Sequence, residues 1–164
     1  MTVSDTTQVY RVYIKATAQA IWDAIPRPEW TDRFGYGGRA EYDLRPGGAY
    51  LGKSSETMRA MGAPELAVDG EVIAVDPPRK LVQTWRMLMD EAMKAQGFTR
   101  LTYEIQEGKV GVSRLTVTHE LAGAPLLVKL LSGGMEDENA GGGWNWVLSG
   151  LKTVLETDTE LGQW

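Results

Sequence analysis

GGWNWVLSGLKTVLETDTEL, at residues 142–161, is the stretch that decides the fold of this chain. Its apolar residues recur at helical spacing, and they are Trp144, Val147, Leu148, Leu151, Val154 and Leu155. This spacing predicts an α-helix with one continuous apolar stripe. A helix of about 20 residues is roughly 30 Å long, which is enough to cross a small domain. Because almost everything before it has the pattern of short strands, we expect the helix to bury its stripe against a sheet.

The residues before this helix predict one strand, two short helices and about six further strands. Alternation of apolar and polar residues indicates strands at residues 8–15, 38–45, 48–54, 67–75, 81–87, 99–106 and 112–121. Thr17 is a suitable N-cap for a helix over residues 18–25, and Pro28 can open a second helix. Pro46-Gly47 has the composition of a type II turn. Since tight turns join consecutive strands, we expect an α+β fold in which a curved antiparallel sheet grips the C-terminal helix.

Composition and charge limit the classes of function that this chain can have. We expect a single domain over residues 1–164, with its core at 8–161. The formal charge of −5 argues against a nucleic-acid partner. The sequence has no cysteine, which excludes disulfides and fits a reducing cytoplasm. The first residues, MTVSDTTQVYRV, lack a signal-peptide pattern, and the apolar run at 126–131 is too short for a membrane span.

The sequence lacks the residues that most catalytic mechanisms need. A single histidine and no cysteine argue against a metal site. No serine has a nucleophile-elbow pattern, and the glycine runs do not match a phosphate loop, so we expect neither a triad nor a nucleotide cofactor. Glu104 and Asp23 are the carboxylates to consider as an acid/base pair, but periodicity places both on polar faces.

A set of polar side chains is predicted to lie on the inner face of the sheet. Alternation places Tyr42, Gln83, Tyr103 and His119 among inward-facing apolar residues, with Trp85 on the same face as Gln83. Several inward-facing tyrosine hydroxyl, amide and imidazole groups are typical of a small-molecule pocket, and equally of a core whose polar groups are hydrogen-bonded to one another. His119 therefore has two interpretations, which are a core histidine with a protein partner and a polar anchor or acid/base in a cavity.

The sequence carries a resemblance over residues 9–161. The segments TAQAIWDAI, PEW, DLRPGGAY, GEVIAVDPPRKLVQTW and GWNWVLSGLKTVLE occur in this order. Together they resemble the activator-of-heat-shock-protein-ATPase homology family of the START-like, helix-grip (SRPBCC) superfamily. The resemblance implies a β-α-α-β6-α domain with a cavity between the sheet and the C-terminal helix.

The resemblance favours a cavity that binds a hydrophobic or aromatic small molecule, lipids included. The residues that we expect to line it are Tyr42, Met58, Met61, Gln83, Trp85, Tyr103, His119, Trp144 and Leu148. One alternative is a cyclase- or hydrolase-like enzyme with His119 as proton shuttle, although the pattern favours a binding module. Another is a chaperone-activating role, which is less expected because this sequence lacks the additional N-terminal domain of the chaperone activators. The sequence leaves the oligomeric state open, a homodimer included.

Overall fold

The computed structural model describes residues 6–138 and 140–162 of the chain. The strands are β1 (Thr7–Ile14), β2 (Arg39–Tyr42), β3 (Ala49–Lys53), β4 (Leu66–Asp76), β5 (Lys80–Met87), β6 (Thr99–Glu107) and β7 (Ser113–Glu120). The helices are α1 (Ala18–Ala24), α2 (Pro28–Thr31), α3 (Glu56–Ala60), α4 (Glu91–Ala95), α5 (Pro125–Leu131) and α6 (Trp144–Thr157), and a 3₁₀ turn covers Glu136–Glu138. This order confirms the predicted α+β, helix-grip architecture.

One antiparallel sheet holds the seven strands in the order β1-β7-β6-β5-β4-β3-β2. The register shifts between Gly52 and Lys53 on β3 and between Val72 and Ala74 on β4. Such bulges increase the local twist and bend a sheet. Gly70 permits the close approach of β4 and β5, because a Cβ atom there would lie only 2.0 Å from the carbonyl oxygen of Thr84. The sheet therefore curls around the side on which the helices pack.

The local signals that begin the first helix and the first hairpin act as predicted. Thr17 caps α1, since its hydroxyl accepts a hydrogen bond from the backbone N–H of Ala20 at 3.1 Å. At the hairpin between β2 and β3, Gly47 has a φ of 86° and Gly48 N–H donates to the carbonyl of Arg45 at 2.8 Å. Both features are those of a type II turn at Pro46-Gly47. The alternation over residues 38–45 would place Leu44 inward with Tyr42, but Leu44 is 37% exposed because β2 ends two residues earlier.

The C-terminal helix is shorter than the predicted 142–161. It covers 14 residues, Trp144–Thr157, because the backbone is left-handed at Asp158, with a φ of 54°. Beyond Leu155 the next apolar residue is Leu161, which is 42% exposed, so a longer helix would bury nothing more. The helix begins after Gly143, whose φ is 65°. A Cβ atom at that position would lie only 2.2 Å from the carbonyl oxygen of Leu131.

The apolar stripe of α6 is buried as predicted. Trp144, Leu148, Leu151 and Val154 are all buried within the core. The C-terminal half of the helix is tied to the β1 end of the sheet, since Lys152 Nζ donates to the carbonyl of Tyr13 at 2.6 Å. Glu156 Oε2 accepts from the backbone N–H of Lys15 at 2.7 Å.

The two long connections each contain a short helix. Ser55 caps α3 and Asp90 caps α4, each by accepting a hydrogen bond from a backbone N–H three residues later. The spacing of Met58 and Met61, three residues apart, is consistent with one helical turn in the first connection, whereas the sequence at 88–97 indicates only a second long connection between strands. Within residues 6–138 and 140–162, no helix has both the length and the hydropathy that a membrane span requires. Residues 1–5 of the N-terminal segment that lacks a signal-peptide pattern lie outside the described residues.

Candidate functional site

The inner face of the sheet carries two adjacent groups of polar and aromatic side chains. The first, which we name the histidine cluster, consists of Trp85, Thr99, His119 and Trp144. The second, which we name the tyrosine cluster, consists of Tyr42, Tyr50, Gln83 and Tyr103. The strands β2, β3, β5, β6 and β7 and the helix α6 supply these residues, so the two clusters span the concave side.

The hydrogen bonds of the histidine cluster determine the tautomer of His119. The indole Nε1–H of Trp144 can only donate, and it lies 3.2 Å from His119 Nδ1. The proton of the neutral ring must therefore be on Nε2, which lies 2.7 Å from the hydroxyl of Thr99. That hydroxyl in turn donates to the backbone carbonyl of Trp85 at 3.0 Å. Both ring nitrogens of His119 thus have protein partners.

Burial keeps His119 neutral. Its side chain has no exposed surface, and the indole rings of Trp85 and Trp144 pack edge-on against it at centroid distances of 5.2 and 6.0 Å. Because burial disfavours the charged form, the pKa of His119 falls to about 3. A ring that is enclosed, neutral and bonded at both nitrogens has no lone pair or proton to offer a substrate. This geometry corresponds to the first of the two interpretations of His119, a core histidine with protein partners.

The tyrosine cluster is built on a bonded amide. Gln83 is fully buried, and its Oε1 accepts a hydrogen bond from the hydroxyl of Tyr42 at 2.5 Å. Its Nε2 donates to the carbonyl of Thr84 at 3.3 Å. Across the first hairpin, Tyr42 and Tyr50 are direct partners in the register, and their ring centroids lie 4.6 Å apart. The buried amide therefore fixes one tyrosine, and that tyrosine packs against the second.

The tyrosine cluster is less enclosed than the histidine cluster. Burial raises the pKa of Tyr42, Tyr50 and Tyr103, so all three remain protonated at neutral pH. A hydrogen bond from the indole of Trp85 opposes this shift at Tyr50. The hydroxyl of Tyr103 has no hydrogen-bond partner in the part of the chain that the structure describes. All three side chains are partly exposed, in contrast to Gln83 and His119.

The remaining predicted residues differ in how far they approach these clusters. Trp144 and Leu148 are buried on α6, and the ring of Trp144 lies 6.1 Å from that of Tyr103. Met58 is partly buried on α3. Met61, at the C-terminal end of the same helix, is 85% exposed and lies outside the group that the sheet and α6 bring together.

Sequence reasoning missed Tyr50 and Thr99. Tyr50 is opposite Tyr42 in the register, but counting outward from a turn at Pro46-Gly47 pairs Tyr42 with Leu51, so the turn alone does not place Tyr50 correctly. Thr99 is opposite Trp85 in the register of β5 and β6, but that register depends on a connection of eleven residues, 88–98, and could not be counted from a tight turn. Among the residues described, no three His, Cys, Asp or Glu side chains are close enough to share a metal ion.

Comparisons with known proteins agree with this architecture. The family model described as "Activator of Hsp90 ATPase homolog 1-like protein" matches residues 15–156. No curated protein matches the sequence significantly. The crystal structure of CalU16 from Micromonospora echinospora is similar at a TM-score of 0.66 and 17% identity, covering 94% of this chain and 77% of that one.

Two further solved structures have the same fold. PFC0360w, an HSP90 activator from Plasmodium falciparum, is similar at a TM-score of 0.63 and 20% identity, over 92% of this chain and 96% of the other. The protein NE0264 from Nitrosomonas europaea is similar at a TM-score of 0.65 and 18% identity, over 93% and 95% of the two chains. At these identities the structural likeness concerns the fold.

Proposed function

We propose that this chain, which belongs to the Activator of Hsp90 ATPase homolog 1-like family, binds a hydrophobic or aromatic small molecule between the inner face of its sheet and α6. The observation that carries the proposal is the tyrosine cluster, in which the partly exposed Tyr103 has no protein partner for its hydroxyl among the described residues. A hydroxyl on the inner face without a protein partner is available to bond a ligand. A ligand that enters beside these rings would supply that partner.

The protonation of the tyrosines defines the class of ligand. Because burial raises the pKa of Tyr103, its hydroxyl is an O–H donor at neutral pH and needs an acceptor. An apolar or aromatic body with a carbonyl, ether or phenolic oxygen meets this need. The body would lie against Trp85, Leu148 and Met58, where burial of its apolar surface would drive binding.

The geometry favours a binding module over an enzyme. The proposed shuttle, His119, is neutral, enclosed and bonded at Nδ1 and Nε2. The tyrosines, with raised pKa values, are weaker acids than free tyrosine. We assign His119 a supporting role, in which it fixes Trp144 and Trp85 behind the ligand.

A pair of matched probes tests the proposal. We expect 2-acetonaphthone, which carries a carbonyl, to quench tryptophan fluorescence with an affinity up to about tenfold higher than 2-ethylnaphthalene, since one satisfied hydrogen bond has that effect. The variant Tyr103→Phe should lose the preference for the ketone and keep the binding of the hydrocarbon. The control is Tyr13→Phe, because Tyr13 is 59% exposed on the outer side of the sheet.

Two outcomes would contradict the proposal. One is that neither probe saturates, and the other is that the Tyr103→Phe protein keeps the full preference for the ketone. Native mass spectrometry of the freshly purified protein provides a second measurement, since a co-purified small molecule would appear as a mass increment. The same spectra give the oligomeric state, and so decide whether the chain forms a homodimer.

The family description favours a second function, stimulation of a chaperone ATPase, and one structural neighbour is named an HSP90 activator. The test is the ATPase rate of Hsp90 with and without this protein. Stimulation that persists in a protein shown to be free of ligand would favour this function over small-molecule binding. We also propose a cytoplasmic location, on the ground that the sequence has no cysteine.

A further inference from the structure

The outer face of the sheet contains a groove that the proposed function does not use. Its volume is about 390 Å³, and the residues that line it are Arg11, Asp76, Arg79, Lys80, Glu104, Ile105, Gln106, Arg114 and Thr116. Four of these form one row across β5, β6, β7 and β1, because Lys80 pairs with Glu104, Glu104 with Thr116, and Thr116 with Arg11 in the register. The groove therefore crosses the side of the sheet opposite the tyrosine cluster.

The groove contains more positive than negative side chains. Arg79 is neutralised by Asp76, to which it donates two hydrogen bonds at 3.1 and 3.0 Å. The cations that remain are Arg11, Lys80 and Arg114, and none of them forms an ion pair with any carboxylate of residues 6–138 and 140–162. Glu104 is the one other carboxylate of the lining. Three unpaired cations thus share a groove in a chain whose net charge is −5.

Arg114 gives a second indication of a missing partner. Its Nη2 donates to Oε1 of Gln106 at 2.8 Å, which orients the guanidinium beside the groove. Its Nε is buried and has no acceptor among the residues that the structure describes. Since Nε is covered, an anion in the groove would bond the remaining N–H groups of the guanidinium, whose planar arrangement suits a phosphate or a carboxylate.

We propose that this groove binds the anionic group of a small molecule, either a phosphate or a carboxylate. Arg11 and Arg114, on the neighbouring strands β1 and β7, would hold the anion between them, and Lys80 would contribute a third positive charge. Thr116 lies between Glu104 and Arg11 in the row, and Glu104 can accept a hydrogen bond from a hydroxyl on the ligand. The site is independent of the tyrosine cluster, so it stands whether or not an apolar ligand binds inside.

Titration of the ¹⁵N-labelled protein with pyrophosphate and, separately, with citrate tests this proposal. We expect saturable shifts of the backbone amides of Arg11, Lys80, Arg114 and Thr116, and no such shifts with sodium chloride at equal ionic strength. Tighter binding of pyrophosphate would identify a phosphate ligand, and tighter binding of citrate would identify a carboxylate. Shifts that do not saturate, or that sodium chloride reproduces, would overturn the proposal.

Matched variants separate a built site from general attraction of anions. Each of Arg114→Gln and Arg11→Gln should raise the Kd for the preferred anion about tenfold, as expected for the loss of a charge-assisted hydrogen bond. Arg59→Gln is the control, because Arg59 is also exposed and unpaired among the described residues but lies on α3, away from the groove. Equal effects of all three substitutions would contradict the proposal. Lys80→Gln repeats the test should Arg114→Gln destabilise the fold.

Discussion

The histidine cluster and the tyrosine cluster lie side by side on one face of the same sheet, and they differ in how their polar atoms are satisfied. In the histidine cluster each polar atom of the ring has a protein partner, and His119 has no exposed surface. In the tyrosine cluster Tyr42 is bonded to Gln83 and Tyr50 to Trp85, while the partly exposed Tyr103 keeps a hydroxyl without a partner among the described residues. Both groups are deep, yet only the second has bonding capacity left over.

This difference separates a structural polar group from a site. A buried and fully bonded network contributes rigidity and specifies one arrangement of the core. A deep donor without a partner costs free energy, and such a cost is expected where a ligand removes it. We therefore expect changes in the histidine cluster to alter stability first, and changes at Tyr103 to alter binding first. The predictions below test that division.

The largest expected effect is that of Trp144→Ala. Trp144 is buried, donates to His119 and lies against the rings of Tyr10, Tyr103 and His119. Its removal should lower the free energy of unfolding by about 3–5 kcal/mol, through lost burial and a cavity between α6 and the sheet. Urea unfolding followed by circular dichroism measures the change.

Trp144→Phe and Leu126→Ala are the comparisons for this substitution. The first keeps an aromatic ring but leaves Nδ1 of His119 without a donor, so it should cost about 1–3 kcal/mol. The second removes a side chain that is 43% exposed on α5, and it should stay within about 0.5 kcal/mol of the unchanged protein. If Trp144→Ala cost no more than Leu126→Ala, the proposed role of the histidine cluster in stability would be wrong.

The second prediction concerns the pH dependence of stability. Burial lowers the pKa of His119 to about 3 in the folded protein, against 6.5 for the free side chain. The unfolded chain therefore binds a proton more readily, and protonation favours unfolding. The contribution of His119 to stability is complete above pH 6.5 and is lost as the pH falls toward 3. Between pH 6 and pH 4 this amounts to about 1 kcal/mol per pH unit.

His119→Gln isolates this contribution from that of the carboxylates. A glutamine can accept a hydrogen bond and donate one, but it does not titrate in this range. We expect the free energy of unfolding of the variant to fall less steeply than that of the original protein when measured by urea titration at pH 7, 6, 5 and 4. Parallel curves for the two proteins would mean that His119 titrates normally in the fold.

The sequence was sufficient to predict which polar residues lie on the inner face of the sheet, but it was not sufficient to predict their hydrogen-bond partners. Strand alternation is strictly local, so it placed Gln83 and His119 on the inner face without knowledge of the fold. What alternation cannot reveal is the partner of a buried polar group. The donor to His119 comes from Trp144, 25 residues further along the chain, and the partner of Gln83 is 41 residues away. Hence the sequence left open whether these residues form a core or a pocket.

The ends of elements were predicted where a strong local signal exists. Thr17 gave the correct start of α1, and the turn at Pro46-Gly47 was placed correctly, although β2 ends at Tyr42 and not at residue 45. The end of α6 was misplaced because the Thr157-Asp158 pair carries no glycine or proline, and an aspartate in a left-handed conformation is hard to foresee. The missed α4 had a usable signal, since Asp90 lies where an N-cap belongs, but it has no buried residue to create a periodic apolar stripe.

The third prediction breaks the bonded half of the tyrosine cluster. Tyr42→Phe removes the hydroxyl that donates to Gln83 and leaves the fully buried Oε1 of that amide without its donor. We expect a loss of about 1–3 kcal/mol in the free energy of unfolding, because the desolvation of the amide oxygen is no longer compensated. Thermal unfolding at neutral pH measures it. The double variant Tyr42→Phe with Gln83→Leu should recover part of the loss, and failure to do so would place the effect elsewhere.

The smallest effect on stability is expected for Tyr103→Phe. Its hydroxyl has no hydrogen-bond partner among the described residues, so its removal leaves no other buried group unsatisfied. The ring still packs at 6.1 Å from that of Trp144. The free energy of unfolding should therefore stay within about 0.5 kcal/mol of the unchanged protein, or rise slightly. Measured beside Tyr42→Phe, which removes the same single oxygen at a similar depth, this substitution isolates the presence of a protein partner as the variable. Equal losses from the two would mean that Tyr103 is bonded like Tyr42, and the tyrosine cluster would then have no free donor for a ligand.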